Sequence, residues 1–374
     1  MREESRMNGP FATRAGARGR ALLLALATLA VAAGCSSSTK PGGTIPAARS
    51  YRMGFSGIPP RNDFAIAVAA INMWIPRADA AIFHSEAPWE SLLADVPPET
   101  LVVREMLPLA QYYRAHGLQL VVMVDPTNGL NRASDANGLV AAGRSLTEPA
   151  MQQLLRTWVV AVDTLLSPDY LGLAAETNLI RAIAPASLYD AVRVVASDAA
   201  ADVRAVDPAV RLFSSVQVEV AWGVLVGGVY EGVDQDRADF PFHDMLGLSS
   251  YPYFSWPHPD SLPADYYARL VETNPIPTMI IEGGWSSQQV VPWPTSPAVQ
   301  AAYIRRQSEL LDEAGCIGAF QLTFTDLDTT AIPLPPGVSL APFAHLGLVD
   351  VNLVPKPALE AWDATFRRPL APGP

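Results

Sequence analysis

Eight short apolar runs, each bounded by turn residues and separated by longer stretches with helical periodicity, constrain this chain more than any other feature. They are Arg52 to Ser56, Ala80 to His84, Gln119 to Val124, Tyr170 to Ala174, Arg211 to Val216, Met245 to Ser249, Thr278 to Ile281 and Ile317 to Thr323. Most are apolar on both faces, as parallel strands held between a packed interior and outer helices must be. Amphipathic stretches at Thr100 to His116, Glu148 to Leu166, Pro185 to Val206, Leu262 to Glu272, Pro297 to Ala314 and Lys356 to Phe366 fill the gaps. Glycines at His116-Gly117 and Ala314-Gly315 supply helix stops. A strand-helix repeat with eight strands predicts an α/β fold, a single (β/α)8 TIM barrel over residues 50–369. The alternative, a doubly wound open sheet, would carry a dinucleotide loop after its first strand. Met53-Gly-Phe-Ser-Gly-Ile-Pro-Pro60 lacks that spacing.

The segment before the barrel has a different character. Five arginines lie between Arg2 and Arg20, and Ala21 to Ala33 form an apolar run ending at Gly34-Cys35. This is the layout of a secretory signal, with a core too short to span a bilayer as a stable helix. Val31-Ala-Ala-Gly-Cys35 resembles a bacterial lipobox, which implies a lipoprotein signal peptide over residues 1–34 and lipidation of Cys35. Residues 35–49, rich in Ser, Pro and Gly, are expected to act as a flexible linker. The expected location is a bacterial cell envelope, with the chain lipid-anchored after export at the outer membrane or facing the periplasm. With Cys35 acylated, Cys316 is left without a disulfide partner.

The net charge is -11, and without the signal's five arginines and two glutamates the remainder stands at about -14. Such acidity disfavours nucleic acid and anionic polysaccharide as partners and permits neutral sugars. The expected partners are therefore a carbohydrate substrate and, through the anchor, a membrane, on a chain that is otherwise a monomer. The five histidines form no zinc motif, so neither a metal site nor a cofactor is expected. No G-x-S-x-G elbow accompanies Ser214-Ser215 or Ser249-Ser250, which disfavours an esterase.

Two of the apolar runs end in a glutamate followed by small or polar residues. These are Tyr170-Leu-Gly-Leu-Ala-Ala-Glu176-Thr-Asn178 and Pro277-Thr-Met-Ile-Ile-Glu282-Gly-Gly-Trp285. In a barrel, a carboxylate at a strand's C-terminal end sits on the floor of the cleft, and glycoside hydrolysis needs two of them. These two stretches, with Leu246-Gly-Leu-Ser-Ser-Tyr251-Pro-Tyr253, resemble the catalytic strands of clan A glycoside hydrolases, and within the clan they are most like arabinogalactan endo-β-1,4-galactanases. The closing segment His345-Leu-Gly-Leu-Val-Asp350, followed by Lys356-Pro-Ala-Leu-Glu-Ala-Trp362, is similar to the end of such barrels.

The resemblance implies a retaining mechanism with Glu176 as acid/base, Glu282 as nucleophile and Tyr251 donating a hydrogen bond to Glu282. In one respect the chain departs from the clan: the asparagine usual before the acid/base is replaced by Ala175, and Asn178 offers the nearest amide. Trp285, Tyr253 and Trp256 are candidate platforms for sugar rings, and Asp125 and His84 are candidate binders of sugar hydroxyls. The expected activity is hydrolysis of β-glycosidic bonds in a neutral polysaccharide or oligosaccharide. The alternative, raised by Ala175, is a carbohydrate-binding envelope lipoprotein on a barrel that has lost catalysis.

Overall fold

The structure is a computed structural model, and it describes residues 47–332 and 339–371. The predicted signal peptide, Cys35 and nearly all of the predicted linker lie outside the described residues. Among those that are described, no helix is long and apolar enough to cross a membrane.

The strands are β1 (Arg52–Ser56), β2 (Ala80–Glu86), β3 (Gln119–Asp125), β4 (Tyr170–Gly172), β5 (Arg211–Phe213), β6 (Ser215–Gln217), β7 (Leu246–Ser250), β8 (Thr278–Gly283) and β9 (Gly318–Gln321). They form one sheet in the order β5-β4-β3-β2-β1-β9-β8-β7-β6, and every neighbouring pair is parallel. The two ends of that order, β5 and β6, are halves of the predicted fifth strand separated by Ser214 alone. The first half pairs with β4 and the second with β7, so the sheet closes on itself and the (β/α)8 barrel is the observed fold. At the break, Ser215 N–H donates to Ala174 O at 2.9 Å and Gly247 N–H donates to Ser214 O at 2.9 Å, which carries the ladder across the seam.

Two apolar layers hold the barrel. Inside it, Ile82, Val121, Met123, Phe213, Met279, Ile281 and Phe320 fill the lumen. Large side chains fit there because glycine faces them: a Cβ at Gly172 would lie 2.5 Å from the tip of Met123 and 2.7 Å from the ring of Phe213. Outside it, the strands' opposite faces pack against the helices, with Trp74, Trp158, Trp362 and Phe55 among the buried aromatics.

The helices at Pro149–Leu166, Ala186–Val206, Pro297–Ala314 and Pro357–Phe366 match the periodicity, but two expectations need correction. The stretch from Thr100 to His116 is two helices, Pro98–Glu105 and Leu107–Ala115, because Pro108 has no N–H for the carbonyl one turn back. Leu262 to Glu272 holds only a single turn of 3-10 helix at Ala268–Val271. There the adjacent Tyr266 and Tyr267 are both buried, and this tertiary demand overrides helix propensity. Short helices also go beyond the periodicity, notably Phe64–Trp74, capped by the Asp63 carboxylate, and Thr177–Ile183.

Candidate active site

Glu176 follows β4 and caps the N-terminus of the Thr177–Ile183 helix with left-handed backbone angles, φ 49° and ψ 48°. For a non-glycine residue that conformation costs about 1 to 2 kcal/mol and must be held by its surroundings. Three consecutive residues supply the hold by binding to β6. Glu176 N–H donates to Ser215 Oγ at 2.9 Å, and Thr177 Oγ1 donates to Ser215 O at 3.2 Å. Asn178 brackets Gln217, accepting from its N–H at 2.8 Å and donating to its carbonyl at 2.9 Å. Beneath them Asp236, fully buried, is paired with Arg181 at 3.0 Å.

Glu282 reaches the same place from β8. A bulge between Leu248 and Ser249 shifts the β7–β8 register so that Ser249 stands beside Glu282 instead of Ile281. Directly paired residues on parallel strands point to the same face, so Ser249 and Glu282 meet in the barrel mouth. Gly283 allows this crowding: a Cβ there would lie 2.4 Å from Ser250 O.

The two glutamates, distant in sequence, share one partner. Ser249 Oγ lies 2.5 Å from Glu176 Oε1 and 2.7 Å from Glu282 Oε1. The two oxygens can be no farther apart than those contacts laid end to end, about 5.2 Å. A gap of at most that size is compatible with the about 5 to 5.5 Å of retaining displacement and is short of the roughly 6.5 to 9.5 Å that leaves room for an inverting water.

The pair is electrostatically unequal. Arg132, on the loop after β3 and 5 % exposed, donates from Nε to Glu176 Oε2 at 2.9 Å and also pairs with Asp125. His84 Nε2 is 3.6 Å from Glu282 Oε2. Burial pushes the His84 imidazole down to about 4, against the pull of Asp125, so at neutral pH it is uncharged. Burial, reinforced by the negative charge of Glu176, pushes Glu282 up to about 8, against Arg132 and the Ser249 hydroxyl. Burial and both glutamates hold the Tyr251 phenol well above its ordinary value.

The remaining predicted site residues are placed as follows. Asp125 lines the mouth, but its oxygens are occupied by Arg132 and by Thr127, whose N–H donates at 3.0 Å. Tyr251 is buried beside the pair, yet no hydrogen bond joins it to Glu282 in the structure; the hydroxyl at Glu282 is that of Ser249. Asn178 is withdrawn from the cleft by its two bonds to β6. Trp285 is 1 % exposed, donates to Thr295 Oγ1 at 3.1 Å and packs against Tyr303, so it offers no free face to a sugar. Tyr253 is likewise closed off, its hydroxyl donating to Pro342 O at 2.7 Å. Trp256 stays partly exposed, packed edge-on against Trp222 and Tyr266.

Arg132 and Ser249 contact the two glutamates, and the motifs signal neither. Arg132 belongs to an irregular loop, and Ser249 is brought into register only by the bulge. Two hollows of about 510 and 640 Å³ lie elsewhere. One is between the Pro297–Ala314 and Pro357–Phe366 helices, and the other is at the strands' N-terminal ends beside Arg52, Tyr170 and Arg211. Among the described residues, no group of three or more histidine, cysteine or carboxylate side chains is arranged to hold a metal ion.

No protein-family model matches the chain, and no curated protein sequence matches it. Solved structures do. An exo-beta-1,4-mannosidase, Op5Man5, from Opitutaceae bacterium strain TAV5 superposes with a TM-score of 0.64 at 18 % identity, over 86 % of this chain and 60 % of that one. A singly substituted GH5_18 protein from Bifidobacterium longum subsp. longum, in complex with Manb1-4GlcNAc, gives 0.57 at 15 % identity, over 86 % of this chain and 80 % of that one. A beta-glucuronidase of an uncultured Clostridium sp. gives 0.53 at 16 % identity, over 87 % of this chain and 53 % of that one. The chain thus spans less than two thirds of the mannosidase and of the glucuronidase. At these identities the likeness establishes the barrel fold, which these glycoside hydrolases share.

Proposed function

We propose that this chain is a retaining β-glycosidase acting on a neutral β-glycoside, with Glu176 as general acid/base and Glu282 as nucleophile. The observation that carries the reading is the meeting of the two carboxyls at one serine hydroxyl in the barrel mouth, within retaining distance. Glu176 protonates the leaving oxygen while Glu282 attacks the anomeric carbon. Glu176 then takes a proton from the water that releases the glycosyl-enzyme.

The substrate class follows from the charges. A uronic acid ring needs a free cation, and Arg132 is committed to Asp125 and Glu176 while His84 is neutral. A neutral hexoside therefore fits better than a glucuronide. The mannosidase and mannoside complex among the similar structures make β-mannosides the first class to test, and the motif likeness to endo-β-1,4-galactanases makes β-galactans the second. Export and a lipid anchor at Cys35 belong to the same proposal and rest on the N-terminal sequence.

Glu176→Ala and Glu282→Ala, with wild type, are to be assayed on aryl β-mannosides, β-galactosides, β-glucosides and β-glucuronides and on the matching polysaccharides. The expected result is turnover of a neutral class, lowered at least about 10³-fold by Glu282→Ala on every substrate and by Glu176→Ala on the polysaccharides, whose leaving groups need the proton. Turnover that neither substitution changes would remove the reading. A second reading, carbohydrate binding without catalysis, is favoured by Ala175 together with the engagement of Asn178 on β6. It predicts calorimetric binding of oligosaccharides with no product on prolonged incubation.

A further inference from the structure

A hydroxyl carries one proton, yet Ser249 Oγ lies at hydrogen-bond distance from two carboxyl oxygens. It donates to one of them. The other contact is as short as a strong hydrogen bond, and with an ionised carboxylate it would oppose lone pairs, so that carboxyl must itself hold the proton. The pair therefore shares a single proton. Its resting position follows from the basic groups nearby. The guanidinium of Arg132 bonds Glu176 directly, whereas Glu282 feels that charge without a bond to it and has the neutral imidazole of His84 beside it. Glu176 is thus the ionised member and Glu282 the protonated one. That is the reverse of what the first step of the proposed reaction needs.

We infer that Ser249 is a proton relay that exchanges these two states, and that Arg132 is the positioning residue that sets the resting one. The inference rests on the two-glutamate reading. In the exchange, Glu282 Oε1 gives its proton to Ser249 Oγ while the proton already on Ser249 passes to Glu176 Oε1. Two O–H bonds break and two form, and one negative charge moves from Glu176 to Glu282. The reaction then starts from a protonated acid and a bare nucleophile. The charged and titratable groups facing the pair are Arg132 and Asp125 from the end of β3 and its loop, His84 from β2, and Tyr251 from the end of β7, with Glu86 one step farther out beside Asp125 and Arg132. Asp125 opposes movement of Arg132 by holding its other nitrogen, and Thr127 Oγ1 accepts from that nitrogen at 3.2 Å. Partial desolvation, and then Asp125, push Glu86 up from the ordinary carboxylate range.

The test uses the full chain with carboxyl-labelled glutamate, followed by carbon NMR from acid to alkaline pH, with Glu176→Gln and Glu282→Gln to assign the signals. The free protein should show Glu176 ionised and Glu282 protonated at neutral pH. Arg132→Gln should move proton population onto Glu176. In turnover, Ser249→Ala should lose about 10²-fold on glycosides with poor leaving groups and much less on activated aryl glycosides, which need no proton. Ser249→Thr, which keeps the hydroxyl, should recover most of the rate on the poor leaving groups. Two ionised glutamates at neutral pH, or equal loss on both substrate types, would overturn the relay. The NMR measurement needs no turnover, so an inactive protein that still shows the expected proton distribution would sink the glycosidase reading and leave the shared-proton geometry standing.

Discussion

Two carboxyls brought within one hydroxyl's reach repel each other whenever both are charged, so the site stores a penalty that depends on pH. For Glu282 the folded state raises proton affinity above that of the unfolded chain, chiefly by burial and then by Glu176. The folded protein therefore binds more protons than the unfolded one between the ordinary carboxylate range and about 8, and across that window stability falls as pH rises. Glu282→Gln removes the penalty. Its melting temperature should exceed that of wild type by roughly 2 to 6 °C above the window and by little near pH 4 to 5. A gain equal at both ends, read by calorimetry, would mean that Glu282 is not perturbed.

The glutamates themselves were legible as carboxylates closing apolar runs. Trp285 was not placed correctly, because proximity in sequence to Glu282 says nothing of where its ring points; it turns into the core beside Tyr303. Arg132 and Ser249 were invisible for a related reason. Their roles depend on a loop path and on a bulge, neither of which leaves a periodic trace.

At the scale of elements, the site depends on how β7 and β8 end. The register shift at Ser249 and the bare backbone of Gly283 are one device, since Gly283 must pass close to Ser250 O for Glu282 to stand beside Ser249. Gly283→Ala should cost about 1 to 3 kcal/mol in denaturant unfolding and, on the proposed mechanism, should lower kcat more than it raises KM, because Glu282 is displaced. Unchanged kcat with the full stability loss would show that the strand ends tolerate the shift. Eight strands were legible from their apolar runs, and the interruption at Ser214 was not. Only the closure of the sheet requires one strand to serve β4 and β7 with different halves. The Thr177–Ile183 helix was hidden because Thr177 and Asn178 spend their side chains on β6 in place of a recognisable cap.

On the scale of the whole molecule, the described chain begins and ends together at the barrel's N-terminal face, opposite the glutamates. Arg49 N–H donates to Pro369 O at 2.9 Å, and Ala371 N–H donates to Arg49 O at 2.9 Å. The Arg49 guanidinium, 3 % exposed, pairs with Asp79 at 2.6 Å, and Asp79 in turn accepts from Met53 N–H at 2.9 Å. Arg49→Ala would leave Asp79 without its cation and should cost about 3 kcal/mol in unfolding free energy while sparing kcat. A change below about 1 kcal/mol would show that solvent replaces the partner.

The most direct test of the account is a trap for the covalent intermediate. Wild type is incubated with a 2-deoxy-2-fluoro-β-glycoside of the best neutral sugar, and the protein is digested and its labelled peptide identified by mass spectrometry. The account predicts one glycosyl group, attached to Glu282. A label on Glu176 would reverse the two roles, and turnover of the parent glycoside with inverted anomeric configuration would contradict the retaining pair outright.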